Sequence, residues 1–317
     1  MGNVMEKIIV GISSCLLGNE VRFDGGHKRH SYIEKTLGQY FQFRTFCPEV
    51  ESGMGIPRPV VQLRKTEQGI RCVENKDHSV DVTDRLQAVS EQQHEWLTGL
   101  CGYILKKDSP SCGMERVKVY GEHMAARNGT GIFAAYLKQQ FPILPIEEEG
   151  RLGDPGLREN FIQRVFVMQR WRELRRQPLT VNALMTFHSR HKLIAMSHDQ
   201  NQARLLGRIV AASHSGTLEA MADRYISALM ACLKIVATRG NHVNVLQHIQ
   251  GYLKNKLDDD DKKELIETIE SYRQGIVPLI VPVTLLKHHF RKQPDPFIDS
   301  SYYMSPHPAE LALFNEI

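Results

Sequence analysis

The rhythm of this chain changes at a charged, glycine-rich stretch, Glu147-Glu-Glu-Gly-Arg-Leu-Gly-Asp-Pro-Gly156. Before it, short apolar runs alternate with helical patterns. Lys7–Ile12, Phe41–Phe46 and Gly102–Lys106 read as strands, 31–39, 80–100 and 131–140 as helices, and Pro142–Ile146 as a last short strand. Strands alternating with helices predict an α/β domain, Rossmann-like, with a mostly parallel sheet. After the stretch, Phe161, Ile162, Val165, Phe166 and Met168 recur at helical spacing, and 203–212, 218–238, 243–254 and 262–273 are also helix-like. Asp258–Asp261 stand where a helix N-terminus favours negative charge, and Gly275 suits a C-cap. Only 276–283, interrupted by two prolines, has any strand character. The expectation is an α/β domain over 1–154 followed by an all-α domain over 155–317.

No apolar run approaches the roughly 18 residues of a membrane span. The first residues lack the charged, apolar and small-residue regions of a signal peptide. The expected location is the cytoplasm, where the six cysteines serve as thiols, metal ligands or reactive groups rather than as disulfides. Charge is uneven: residues 1–154 hold 19 Lys/Arg against 20 Asp/Glu, and 155–317 hold 21 against 16. Within 158–192 there are eight basic residues and two acids. That tilt suits a polyanionic partner, and equally a solvated helix face.

Three cysteines share a setting. Cys15, in SSCLLGNEVRFDGG, follows the first expected strand; Cys47, in CPEVESGMGIPRP, the second; Cys112, in KKDSPSCG, the third. In open α/β sheets the carboxyl ends of the strands form the ligand crevice. Three thiols distant in sequence would then converge there. Three thiolates leave a metal or cluster one open position, as catalytic sites do, and iron–sulfur clusters accept thiolates at flexible spacing. Each of the three also fits the role of a small buried apolar residue, which is the expectation for Cys72, Cys101 and Cys232. Glu49 (with Glu51 as competitor), Ser109 and Ser111 offer acid/base and hydrogen-bonding groups beside the cysteines. Arg22 and Lys28, in the glycine-rich segment after Cys15, could meet an anionic group of a ligand.

Together, SSCLLGNEVRFDGGHK, FCPEVESGMGIPRP and KKDSPSCG resemble the TudS thiouracil desulfidase domain over about Lys7–Gly153. The second half, with TFHSRHKLIAMSH at 186–198, is similar to the YbgA-type domain that often follows it. The pair resembles the RudS class, which removes sulfur from thiolated uridine, including 4-thiouridine in transfer RNA. The resemblance implies a [4Fe-4S] cluster held by Cys15, Cys47 and Cys112, with a free iron that binds the substrate's sulfur. It implies that Glu49 handles protons and activates water, that Ser109 orients substrate or the attacking oxygen, and that sulfur leaves as sulfide without net redox change.

In the second half, Arg172, Arg175, Arg176, Arg190 and Lys192 are the expected phosphate contacts to tRNA. Trp171 and Phe187 suit base stacking or a helical core, and His188, His191 and His198 suit surface or capping positions better than a metal site. Two other readings compete with the desulfidase. One is an iron–sulfur redox sensor that binds nucleic acid, and the other is a cluster-free sulfur transferase working through a persulfide on Cys112.

Overall fold

A computed structural model describes residues 6–212, 217–308 and 311. The chain divides into two compact units, Met1–Asp154 and Pro155–Ile317.

The first unit is built on two four-stranded sheets. One is wholly parallel, in the order β2 (Phe41–Phe46), β1 (Ile8–Ser13), β5 (Tyr103–Leu105), β8 (Ile146–Glu148). Its central strands are apolar almost throughout, as strands buried on both faces must be. The helices of this unit are α1 (Ser31–Lys35), α2 (Thr83–Gln92), α3 (His94–Leu97) and α4 (Ile132–Gln140). The core around β5 joins Phe46, Leu97, Leu100, Tyr103, Leu105, Phe133 and Leu137. The second sheet runs β4 (Gly69–Glu74), β3 (Val61–Thr66), β6 (Val117–Tyr120), β7 (Ala125–Gly129). It is mixed: β3 pairs parallel with β6, and both outer pairs are antiparallel. Cys72 lies in its small core with Val61, Leu63 and Leu86.

The end of this unit departs from the expectation. The last strand is not Pro142–Ile146: pairing with β5 begins at Ile146 and runs into the acidic triplet. Glu147, Glu148 and Glu149 are 3%, 6% and 7% exposed and belong to the α/β unit rather than to a solvated linker. Each has a reason to be inside. Glu147 accepts from Arg151 Nε at 2.7 Å, Glu148 from the Met114 N–H at 2.7 Å, and Glu149 from Lys106 Nζ at 2.5 Å and the Lys107 N–H at 2.7 Å. Buried carboxylates are tolerated when so partnered.

The second unit is helical: α5 (Pro155–Arg175), α6 (Val181–His198), α7 (Gln200–Ala211), α8 (Leu218–Lys234), α9 (Arg239–Gly251), α10 (Asp259–Arg273), α11 (Ile280–Lys292) and α12 (Pro296–Ser300). From Asn160 to Met168 every residue of α5 is buried, so this helix has no solvated face there and its sequence shows little amphipathic contrast. Helices α6 to α10 all start with a side-chain N-cap, from Thr180, Asp199, Thr217, Thr238 and Asp258 respectively. Each satisfies an orphan N–H of the first turn. The segment with strand character is instead the start of α11: Pro278 precedes the helix and Pro282 sits in its first turn, where no N–H is needed. Helix α6 carries buried His191 and His198 on its inner side, which obscures its periodicity in the sequence.

Candidate active site

All three parallel strands that precede the cysteines end at one cavity of about 370 Å³. After β1 the chain makes a tight turn, Ser14–Leu17, closed by Gly18 at φ +91°. Cys15 lies in that turn, and its carbonyl accepts from the Lys28 N–H at 2.8 Å, which folds the glycine-rich segment back over the strand end. Cys47 is the first residue after β2. Cys112 lies in the turn after β5, and this turn seats directly on the start of α4. The Pro110 and Ser111 carbonyls accept from Ile132 and Phe133 N–H at 3.0 and 2.9 Å. The approach is so close that a Cβ at Gly131 would lie 2.5 Å from the Ser111 carbonyl, so only glycine fits.

Cys15, Cys47 and Cys112 all line the cavity. Burial pushes the Cys15 thiol up to about 11, and the neighbouring Cys47 adds to this. Burial raises Cys47 as well. Cys112 is raised well above the usual thiol range by burial and then by Cys47, while a hydrogen bond with Ser13 acts the other way. The three sulfurs are therefore close enough to oppose one another's ionisation. Lys106 and Arg22 favour the Cys15 thiolate, and Arg58 favours that of Cys47. Yet among the described residues no three His, Cys, Asp or Glu side chains gather tightly enough for a single metal ion. A spread, all-sulfur donor set with cationic neighbours fits a multinuclear iron–sulfur group better than zinc. A persulfide-forming cysteine, by contrast, needs an accessible, activated thiolate. Cys112 is only 6% exposed, and burial opposes its ionisation.

Glu49 is the carboxylate on the cavity wall. Arg58 Nε and Nη2 donate to its Oε2 at 2.9 and 2.7 Å, and the Ser111 hydroxyl donates to its Oε1 at 2.7 Å. The Arg58 side chain is only 3% exposed, and its remaining donors reach the Gly55 and Val21 carbonyls at 3.1 and 2.9 Å. Glu49 is thus held in one orientation by two residues on different loops. Glu51, the competing carboxylate, is exposed and does not line the cavity. The Ser109 oxygen accepts from the Ser111 and Cys112 N–H groups at 3.2 and 3.1 Å, so its own proton is available to a bound molecule. Ser111 is fully buried, and its hydroxyl faces Glu49 from behind. Arg22 and Lys28 lie on the cavity wall, with Arg22 3.8 Å from Asp24.

Three participants escaped the sequence reading: Arg58, Lys106 and Glu149. Arg58 sits nine residues after Glu49, and only the reversals at Gly53 and Gly55, both at positive φ, bring it back. Lys106, on the cavity wall, is held by Glu149, the first residue after β8.

The residues expected at tRNA stay in the helical unit. Arg175, Arg176, Arg190 and Lys192 are exposed and Arg172 is half-buried; Arg175 pairs with Glu219 at 2.5 Å. Trp171 and Phe187 are core residues, with ring centroids 5.3 Å apart. The histidines differ from the surface or capping expectation: His191 and His198 are 1% and 3% exposed, and His188 approaches the Tyr225 hydroxyl at 3.2 Å.

Comparison with known proteins divides along the same line as the fold. The family described as 2-thiouracil desulfurase matches residues 10–149, and a family of unknown function, DUF1722, matches 192–308. The uncharacterized protein YbgA of Escherichia coli (strain K12) is 32% identical over 151 residues, covering 47% of this chain and 89% of YbgA. The chain joins a 2-thiouracil desulfurase domain to a YbgA-type domain. The uncharacterized protein YbbK of Bacillus subtilis (strain 168) is 29% identical over 136 residues, 40% of this chain and 88% of YbbK. Among solved structures, the [4Fe-4S]-dependent thiouracil desulfidase TudS is 32% identical, covering 49% of this chain and 97% of its own, with a TM-score of 0.39.

Proposed function

We propose that this protein is a non-redox desulfidase that hydrolyses the thiocarbonyl of thiolated uracil or uridine, with 4-thiouridine in tRNA as the preferred substrate. One observation carries the reading: Cys15, Cys47 and Cys112 line a single cavity together with Glu49 and Ser109. The three cysteines would hold a [4Fe-4S] cluster, whose one iron without a protein ligand would supply a soft Lewis acid for the substrate's sulfur.

The chain's own residues account for the rest. Arg58 and Ser111 fix the Glu49 carboxylate, and the lone pairs they leave can take a proton from a water molecule at the thiocarbonyl carbon. Ser109, its oxygen pinned by two amides, donates its proton to the substrate or to the attacking oxygen. Arg22 and Lys28 meet an anionic part of the substrate, and Arg172, Arg175, Arg176, Arg190 and Lys192 serve tRNA phosphates. The reaction balances without an electron donor: the thiocarbonyl and water give a carbonyl and hydrogen sulfide.

The test is loss of thiocarbonyl absorbance from 4-thiouridine-containing tRNA, the free nucleoside and 2-thiouracil. The protein is prepared anaerobically, with iron and labile sulfide measured on the same sample. Desulfuration proportional to cluster content, fastest on tRNA, is the expected result. A full cluster with no desulfuration of any of the three would defeat the enzyme reading. Equal rates on the free base would defeat the tRNA assignment alone.

A further inference from the structure

The mixed sheet of the α/β unit, β4–β3–β6–β7, has two unlike faces. Val61, Leu63, Cys72, Val117 and Val119 make its apolar side, packed with Leu86 of α2. Successive strand residues point to opposite faces, and directly paired residues share a face. Arg64, Arg71, Lys118, Tyr120 and Arg127 therefore fall together on the other side. Glu74, the one acidic residue within these strands, is paired with Val61 and lies on the core side. The strands thus give the outer face cations and no carboxylate.

Two contacts on this face are like-charge pairs. Arg64 stands directly opposite Arg71, and Lys118 directly opposite Arg127. Such pairs destabilise a sheet, so packing gives no reason for them. Carboxylates relieve only the outer member of each pair. Arg71 Nε donates to Asp81 at 2.6 Å and Nη2 to Asp84 at 2.8 Å, and Arg127 Nη1 donates to Asp108 at 3.0 Å. Arg64 and Lys118, on the two middle strands, make no ion pair among the described residues. Tyr120 borders both: it is paired with Arg64, and its ring centroid lies 5.9 Å from Lys118 Nζ.

The face also reaches the cysteine-lined cavity. Asp108, the partner of Arg127, lines that cavity beside Ser109 and Cys112. A polyanion lying on these cations comes up to the wall that encloses the sulfurs.

We propose that the outer face of the mixed sheet docks the single-stranded RNA that flanks the thiolated nucleotide, with phosphates on Arg64 and Lys118 and an unpaired base stacked on Tyr120. Cations around an aromatic ring are the arrangement that holds single-stranded nucleic acid, where charge tracks the backbone and the ring takes a base. For the identity of the nucleotide the inference rests on the desulfidase reading. It gives the α/β unit RNA contacts of its own, besides those of the helical unit.

The experiment is fluorescence anisotropy of an unmodified tRNA transcript with the full-length chain, over about 50 to 200 mM salt. The transcript carries no sulfur, so the result does not depend on turnover. Failure of the desulfidase reading leaves the binding result standing, and a negative binding result does not touch desulfuration of free 2-thiouracil. The double variant Arg64→Gln/Lys118→Gln weakens binding about tenfold or more and lowers the salt slope by roughly 2, about 1 for each phosphate contact. Tyr120→Thr, which keeps a strand-forming residue, weakens binding about fivefold or more and leaves the slope as it was. Circular dichroism checks the folding of each variant. The proposal is overturned if the folded wild-type chain does not bind the transcript, or if the double variant binds it with unaltered affinity and slope. It is equally overturned if heparin binds as tightly as the transcript and Tyr120→Thr affects neither, the mark of a general polyanion surface.

Discussion

In the α/β unit three buried or nearly buried carboxylates stand against cations: Glu49 with Arg58, Glu149 with Lys106, Glu147 with Arg151. In the helical unit the buried titratable groups include histidines that burial keeps neutral, with His191 and His242 pushed down to about 3 and His198 to about 4. The first arrangement puts Glu49, Arg58 and Lys106 on the wall of a cavity, where they can meet a polar substrate. The second uses polar rings as hydrogen-bonded packing: His191 approaches the Phe187 carbonyl at 2.8 Å, and His242 the Tyr303 hydroxyl at 2.9 Å. Charge kept ionised inside a protein needs a partner for every oxygen, and so marks a site more sharply than a buried imidazole does.

The contrast breaks most completely at the sulfurs. Cys47→Ser or Cys112→Ser should abolish desulfuration and remove iron and labile sulfide together, while Cys232→Ser, deep in the helical core, should leave the cluster content unchanged. Elemental analysis beside the activity assay separates the two. Next in size, Glu49→Gln should keep the cluster and lower turnover by roughly 10²- to 10⁴-fold, the range of general acid–base catalysis. Retained turnover with a full cluster would remove Glu49 from the chemistry.

Arg58→Met leaves a partly buried carboxylate without its cation, which should cost about 3–5 kcal/mol of stability. The double variant Glu49→Gln/Arg58→Met should recover much of that loss. Denaturant titration reads this unit separately, because each unit contains one of the chain's two tryptophans, Trp96 and Trp171. Fluorescence of Trp171→Phe protein follows the α/β unit, and that of Trp96→Phe protein the helical one.

The same pair of reporters tests the histidines. Their folded pKa values lie below the unfolded value of 6.5. The unfolded chain therefore binds more protons from pH 6.5 down to about 4 for His198 and down to about 3 for His191 and His242. Stability of the helical unit is fully present above pH 6.5 and should fall as pH drops through that window, by roughly 1.4 kcal/mol per pH unit for each fully titrating histidine. Burial raises Glu148 in the α/β unit, which contributes with the opposite sign, losing stability as pH rises through the carboxylate range. A helical unit no more acid-sensitive than its neighbour would refute the contrast. The smallest effect is expected at the surface. Arg175→Ala breaks an exposed pair with Glu219 and should change stability by less than about 1 kcal/mol. If this face serves tRNA, it should also lower the salt dependence of binding by about one phosphate contact.

Much of the scaffold was legible in the sequence because it rests on local physics. Apolar runs and helical periodicity mark β1, β2, β5 and most of the helices. Glu147–Glu149 and Arg58 were not legible. Three consecutive glutamates look like a solvated linker until the partners that enclose them are known, namely Met114 N–H, Lys106 and Arg151. Arg58 reaches Glu49 only through two left-handed glycines that no periodicity records. The second sheet was largely missed for a related reason, since Arg71, Lys118 and Arg127 place charge within short strands.

By itself the sequence determined that three cysteines follow three strands, because the strand pattern is local and parallel strands put their carboxyl ends on one edge. It also marked the two ends of α10, with aspartates at its start and Gly275 just past its end. Only the tertiary structure decided which carboxylate faces the sulfurs and how it is held, and that the last acidic residues are interior. Those features depend on contacts between residues far apart in the chain, whose pairing energy exists only once the backbone has closed around them.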